Sequence, residues 1–340
     1  MTTAADATDI LALTRGLVDI DSTTGREGPA ARWLADYLRA HGWSVLEQRV
    51  DATRFNVIAT PAGQTIGAIT FSTHIDCVPP YFPSRLEGDR LYGRGACDAK
   101  GILAAQVAAA DRLRRAGETR VGLVFVVGEE RGSDGARAAN DAATDHASRF
   151  LIDGEPTDNR LGLATRGILR LKLRATGRAA HSSFPELGDS AIDKLIDSLV
   201  ALRAIALPED PELGRTHYTI GLITGGVAPN VVSPAAEAEV MFRTVSDAAD
   251  VRRAVAPLEG RVTIEHVLEV PPVRLTTVPG FDAAVFPYTT DIPFLTRWGA
   301  PLLFGPGSIH VAHTADEYVS VAELHAAADQ YVTLARALLG

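Results

Sequence analysis

The chain has 340 residues, 46% of them hydrophobic and 22% charged, with a formal net charge of −9. That length holds two domains, or one large one, with well-buried cores; an acidic chain with no basic run lacks the footprint of a nucleic-acid binder. No apolar stretch reaches the roughly 20 residues that a bilayer span needs, and Met1 to Gly25 lacks the basic-then-apolar order of a signal peptide.

Two distant cysteines, Cys77 and Cys97, make no disulfide framework and are read as small buried residues, so a cytoplasmic protein is expected. From the N-terminus, residues 8–19 and 27–42 have the spacing of amphipathic helices, with Gly42 as a stop. The short apolar runs Asn56 to Thr60, Ala68 to Ser72, Val121 to Val127 and Phe150 to Ile152 are strand candidates. Between the second and third, Ile102 to Ala116 is Ala- and Leu-rich with a basic end, which favours a helix. Strands alternating with helices predict an α/β sheet covered on both faces.

The texture changes near Thr165. Strand 168–175, helix 191–204, strands 218–223 and 236–243, a helix near 247–256 and a strand near 262–267 make a β-α-β-β-α-β run, the ferredoxin-like pattern. Residues 283–298 are read as a helix broken near Pro287 and Pro293, followed by a strand at Pro301 to Phe304 and a last helix from Val321 to Leu339. The expected organisation is one α/β domain over 1–165 and 270–340, interrupted by a smaller domain over 166–269.

The reactive side chains fall where the strands of the first domain end. Ala68 to Ser72 runs into His74 and Asp76, Val121 to Val127 into Glu129 and Glu130, Phe150 to Ile152 into Glu155, and Pro301 to Phe304 into a Gly-Pro-Gly loop and then His313. Asp98 lies in a glycine-flanked loop before the long helix. In open α/β sheets ligands bind outside the carboxyl ends of the strands. His74 and Asp76 point the same way on an extended segment, so the carboxylate can fix the imidazole tautomer; the alternative is a pair of surface polar residues. Glu129 and Glu130 repel unless a cation is near, so one suits a metal and the other a general base; the alternative is a solvated acidic turn. His, Asp and Glu together suit Zn2+, with Co2+ or Mn2+ as alternatives.

The stretches Ser72 to Pro79, Gly93 to Gly101, Gly128 to Glu130, Asp153 to Thr157, Gly177 to Ser183, Gly225 to Val231 and Gly305 to Glu317 resemble, in order, the motifs of the M20 metallopeptidase family. The family includes acetylornithine deacetylase, succinyl-diaminopimelate desuccinylase, aminoacylase and carboxypeptidases. The resemblance implies a zinc-peptidase-like catalytic domain with a central mixed sheet, and an inserted ferredoxin-like α+β domain that acts as a lid and dimerises. It implies two divalent metal ions, one held by His74 and Glu155, the other by Glu130 and His313, with Asp98 bridging. Asp76 would orient His74, Glu129 would be the general base, and His181 and Asn230 would steady the oxyanion. Arg243 and the loop from Gly305 to Gly307 would hold the substrate carboxylate, although Met241-Phe242-Arg243 lacks the family's Asp two residues before the arginine. His310 competes with His313, and the His-Thr-x-x-Glu pattern favours His313. The expected activity is deacylation of an N-acyl amino acid of the acetylornithine or acetylcitrulline type by a homodimer. A dipeptidase, a carboxypeptidase or a succinyl-diaminopimelate desuccinylase is the alternative; a metal-binding protein without turnover is a third reading.

Overall fold

Six strands built from the apolar runs of the sequence form the main sheet of the computed structural model, which describes residues 8–143 and 147–340. Met1 to Ala7, part of the stretch read for a signal peptide, lies outside the described residues. Across the sheet the order is Trp43–Arg49, Phe55–Pro61, Val121–Val126, Ile69–His74, Phe150–Asp153 and Ala300–Leu303. The last four run parallel and the first two join antiparallel, so the sheet is mixed. Every residue of Ile69–His74 and Val121–Val126 is buried, as expected of parallel strands covered on both faces. Register carries the architecture to the site: His74 lies opposite Val126, and Leu303 opposite Asp153, so these strands end side by side.

The long helix Gly101–Arg115 packs into the core with this sheet through Leu103, Ala104, Val107 and Ala108. Its small residues let the last helix, Val321–Leu339, share the same core. Arg112, Arg114 and Arg115 close its last turn, where positive charge is favoured by the helix dipole. Ser320 caps the last helix by accepting from the Glu323 N–H.

The expected broken helix over 283–298 does not form. Ala283–Phe286 is a strand and Ile292–Phe294 a single 3-10 turn. Pro287 excludes the helical conformation at Phe286, which an extended residue satisfies. Among the elements not anticipated are the edge strand Trp43–Arg49, whose faces are mixed, and the short helix Asp134–Ala142.

Chain contacts divide the protein into two units. The first comprises the chain to Leu163, with Leu275–Ala284 and Thr290–Gly340; the second comprises Ala164–Arg274 and Val285–Thr289. The second unit has a four-stranded antiparallel sheet in the order His217–Gly225, Ala235–Thr244, Gly167–Thr176, Thr263–Val270. With helices Ala191–Leu202 and Ala248–Val255 between them, this is a β-α-β-β-α-β fold. Leu169, Leu171 and Leu173 lie in its core. On the opposite face Arg170, Lys172 and Arg174 pair with Glu237, Glu239 and Glu265, so alternation along the strand separates an apolar face from a charged one.

Candidate metal centre

His74 is the last residue of its strand, Glu129 and Glu130 follow Val126, and Glu155 follows Asp153. The backbone of the 127–130 turn needs a device to hold it there, because Gly128 has φ +81° and the strand ladder has ended. Asp76 supplies it. Its Oδ1 accepts from the N–H groups of Gly128 and Glu129 at 3.0 and 3.1 Å, and its Oδ2 from the Glu130 N–H at 3.2 Å and the Thr24 hydroxyl at 2.9 Å. The sequence suggested that this carboxylate orients His74. In the fold the closer contact of His74 Nδ1 is the Asp76 carbonyl at 3.0 Å, with the carboxylate at 3.5 Å. A carbonyl only accepts, so Nδ1 carries the proton and Nε2 faces the site.

His74 Nε2 lies 2.9 Å from Asp98 Oδ1. Across the same carboxylate, His313 Nε2 lies 3.2 Å from Asp98 Oδ2 and 2.9 Å from Glu130 Oε1. Two triads therefore share Asp98. His74, Asp98 and Glu155 form one; Asp98, Glu130 and His313 form the other, each with ligand atoms within 4.8 Å of one another. His74, Glu129 and Glu130 make a third such group. His313 has φ +64°, a left-handed conformation that few non-glycine residues adopt. His310 is exposed and outside these groups.

The electrostatics are those of too many buried acids. Burial pushes the Glu155 carboxyl well above its usual range, and the charges of Asp98 and Glu129 add to this. Glu129 is raised for the same first reason, with Asp291 and Glu130 adding to it, and Glu130 is raised despite its bond to His313. Burial also opposes charge on Asp98, but hydrogen bonds with His313 and His74 hold it low. Hydrogen bonds to Asp98 and Glu130 lift His313 to about 10. Burial opposes the charged form of His74, yet Asp76 and Asp98 raise it well above the ordinary imidazole range. Among the described residues no hydrogen bond reaches the carboxylate of Glu129 or Glu155. This surplus of negative charge, in an oxygen and imidazole donor set without thiolate, fits divalent cations. Both cysteines are buried: Cys77 lies against Ser22 Oγ at 3.8 Å, and Cys97 Sγ donates to the Ser308 carbonyl.

Sequence reasoning missed Asp153 and Asp291. Burial raises both, and Asp291 reaches about 7. Asp153 closes the apolar run Phe-Leu-Ile-Asp as its only charge, a signal that was available; Asp291 sits in an irregular stretch with none.

In the Gly305–Gly307 loop, part of the backbone is already hydrogen-bonded within the chain. The Gly305 N–H donates to Thr157 Oγ1 at 2.9 Å, its carbonyl accepts from the same hydroxyl, and the Gly307 carbonyl accepts from the Asp158 N–H at 2.8 Å. Its glycines serve close packing: a Cβ on Gly305 would lie 2.5 Å from the Glu155 carbonyl oxygen. His181, Asn230 and Arg243 belong to the second unit. There the Ser182 N–H donates to the Asn230 carbonyl, which sets these two segments side by side. The Ser183 N–H donates to His181 Nδ1 at 3.1 Å, leaving Nε2 as the N–H of a neutral ring. Arg243 is half-buried and its pKa is lowered by burial alone.

Residues 70–337 match the model of peptidase family M20/M25/M40. A "probable carboxypeptidase" of Aspergillus terreus is 39% identical, the alignment covering 97% of this chain and 86% of that protein. Among solved structures, a Staphylococcus aureus tripeptidase superposes with a TM-score of 0.81 at 19% identity, over 99% of this chain and 100% of the other. A Bacillus subtilis protein described as a dinuclear metal binding peptidase from the M20 family gives 0.72 at 17%, over 96% and 98%.

Proposed function

Because the chain belongs to peptidase family M20/M25/M40, we propose that it hydrolyses a linear amide bond whose leaving amine is an amino acid with a free carboxylate. The first substrate class is an N-acyl amino acid of the acetylornithine or acetylcitrulline type. The observation that most supports the chemistry is the pair of triads joined at Asp98 with Glu129 beside them. On this reading His74, Asp98 and Glu155 would hold one divalent ion, and Asp98, Glu130 and His313 a second, in keeping with the dinuclear description of the Bacillus subtilis protein. Zn2+ is favoured for the donor set, with Co2+ or Mn2+ as alternatives. When bound, such ions supply the Lewis acidity that makes water a nucleophile near neutral pH.

Glu129 then takes a proton from the attacking water at its carboxylate and returns it to the leaving nitrogen. Burial makes this carboxyl a stronger base than an exposed one. Asp76 holds the backbone that carries Glu129. In the second unit, the Nε2–H of His181 and the adjacent Asn230 are suited to an oxyanion, and Arg243 to the substrate carboxylate. That unit also exposes Ile196 and Val200 on a helix and Leu222 and Ile223 on its edge strand, each more than half accessible, and homodimerisation through this unit is part of the proposal.

A carboxypeptidase or dipeptidase is the second reading, favoured by the naming of the Aspergillus terreus relative. Both readings release the same kind of amine and differ only in the acyl side. The experiment is turnover by the metal-reconstituted chain on N-acetylornithine, N-acetylcitrulline, N-succinyl-diaminopimelate and simple dipeptides. Turnover of peptides alone would replace the first reading with the second; turnover of none would overturn both. Glu129→Ala is expected to keep its metal and lose about 10²–10⁴ in kcat, and wild-type rates in that variant would remove Glu129 from its role.

A further inference from the structure

We infer that Glu317 is a positioning residue that fixes Asp98 and His313 for metal binding, an inference that rests on the metal-dependent reading above. Glu317 is fully buried. One oxygen, Oε1, accepts from two successive backbone N–H groups, those of Cys97 and Asp98, at 3.1 Å each. The other, Oε2, accepts from Arg94, itself buried. Burying a carboxylate is unfavourable unless it is paired and hydrogen-bonded, and this one is both.

The arrangement does more than satisfy polar groups. Two adjacent amides aimed at one oxygen set the orientation of the peptide from which the Asp98 side chain projects. That side chain must present Oδ1 towards His74 and Oδ2 towards His313 at once. Glu317 also follows His313 by four residues in the chain, and the Gly93 N–H donates to its carbonyl at 3.1 Å. Both its side chain and its backbone thus fasten the segment carrying His313 to the 93–98 loop. Arg94 is held in turn by the Pro80 carbonyl and the Phe82 ring, so the clamp is anchored at its far end. Partners that orient ligands in this way commonly change metal affinity by about 10- to 100-fold when removed.

The test removes the ion pair and the acceptor separately. Arg94→Met with Glu317→Gln keeps a side-chain oxygen for the two amides; Arg94→Met with Glu317→Leu does not. Metal-free full-length protein is titrated with Zn2+ against a chelator. The Gln variant is expected to bind within about 3-fold of wild type and the Leu variant about 10- to 100-fold more weakly. Equal affinities in both variants would overturn the inference, since a purely structural role does not distinguish them. Should the Leu variant not fold, Glu317→Asp replaces it: its charge still meets Arg94 but its shorter arm draws the 97–98 peptide away. Wild-type Zn2+ affinity in Glu317→Asp would likewise overturn the inference. A wild-type chain that binds no Zn2+ would instead remove the metal-dependent reading itself.

Discussion

Replacing Asp76 with Asn tests whether this carboxylate holds the turn that carries Glu129 and Glu130. Asn is nearly isosteric, so packing is kept and only hydrogen bonding changes. Its remaining oxygen still serves the N–H groups of Gly128 and Glu129, which share Oδ1. An NH2 group then replaces Oδ2 and meets two former donors, the Glu130 N–H and the Thr24 hydroxyl. The hydroxyl can rotate to accept; the amide cannot. One buried donor is orphaned, at about 1–3 kcal/mol, and the two surviving bonds lose the roughly 1 kcal/mol advantage of a charged acceptor. The sum is about 2–4 kcal/mol, or about 30- to 1,000-fold in an opening equilibrium. Hydrogen exchange on metal-free protein reads this directly: the amides of Gly128, Glu129 and Glu130 are expected to exchange faster in Asp76→Asn by that factor. His74 Nδ1 keeps its carbonyl partner, so the imidazole should stay in place. Unchanged exchange over 128–130 would refute the reasoning and return the carboxylate to the orienting role expected from sequence.

Metal binding is expected to release protons. His313 is raised to about 10 in the metal-free chain, and the carboxyls of Glu130 and Glu155 are raised as well; a ligating imidazole must be neutral and a ligating carboxyl ionised. Zn2+ calorimetry at pH 7.5 in buffers of different ionisation enthalpy should show about one proton or more released per chain; none released would contradict the arrangement. The sign for stability follows: a His whose folded pKa is raised contributes fully below about 6.5 and loses that contribution as pH climbs through about 10. The Tm of the metal-free chain should therefore fall across that window, and a Tm that rises would count against it. Leu222→Lys with Ile223→Lys is expected to convert a dimer to a monomer in sedimentation velocity, because both side chains are more than half exposed on an edge strand; a wild-type chain that is already monomeric would end that part of the proposal.

Much of this was legible because parallel strands announce themselves. Val121–Val126 and Ile69–His74 are buried on both faces, so their apolar runs mark both the strands and the points where they stop. That is why His74, Glu129 and Glu155 could be placed in the sequence at all. Asp291 could not, since no periodic element carries it. Nor could the destination of the Asp76 carboxylate: its partners, Gly128 to Glu130, are more than 50 residues away, and local spacing offered only His74. The 283–298 stretch was read as a helix, although Pro287 and Pro293 divide it into pieces too short for one and its β-branched and aromatic residues favour the extended conformation found at Ala283–Phe286.

The division of the chain has a consequence for how the protein is made. The main part of the second unit, Ala164–Arg274, interrupts the first, and its last piece, Val285–Thr289, follows Ala284. During synthesis His74, Asp98, Glu130 and Glu155 emerge early, while the strand Ala300–Leu303 and His313 come only after the whole four-stranded sheet of the second unit. A growing chain thus carries a half-assembled cluster of acids, short of one imidazole and of its edge strand, for as long as the inserted unit takes to appear. Domains tend to fold as units in the order they are made. Here the later unit can close first, and the earlier one waits for its own end.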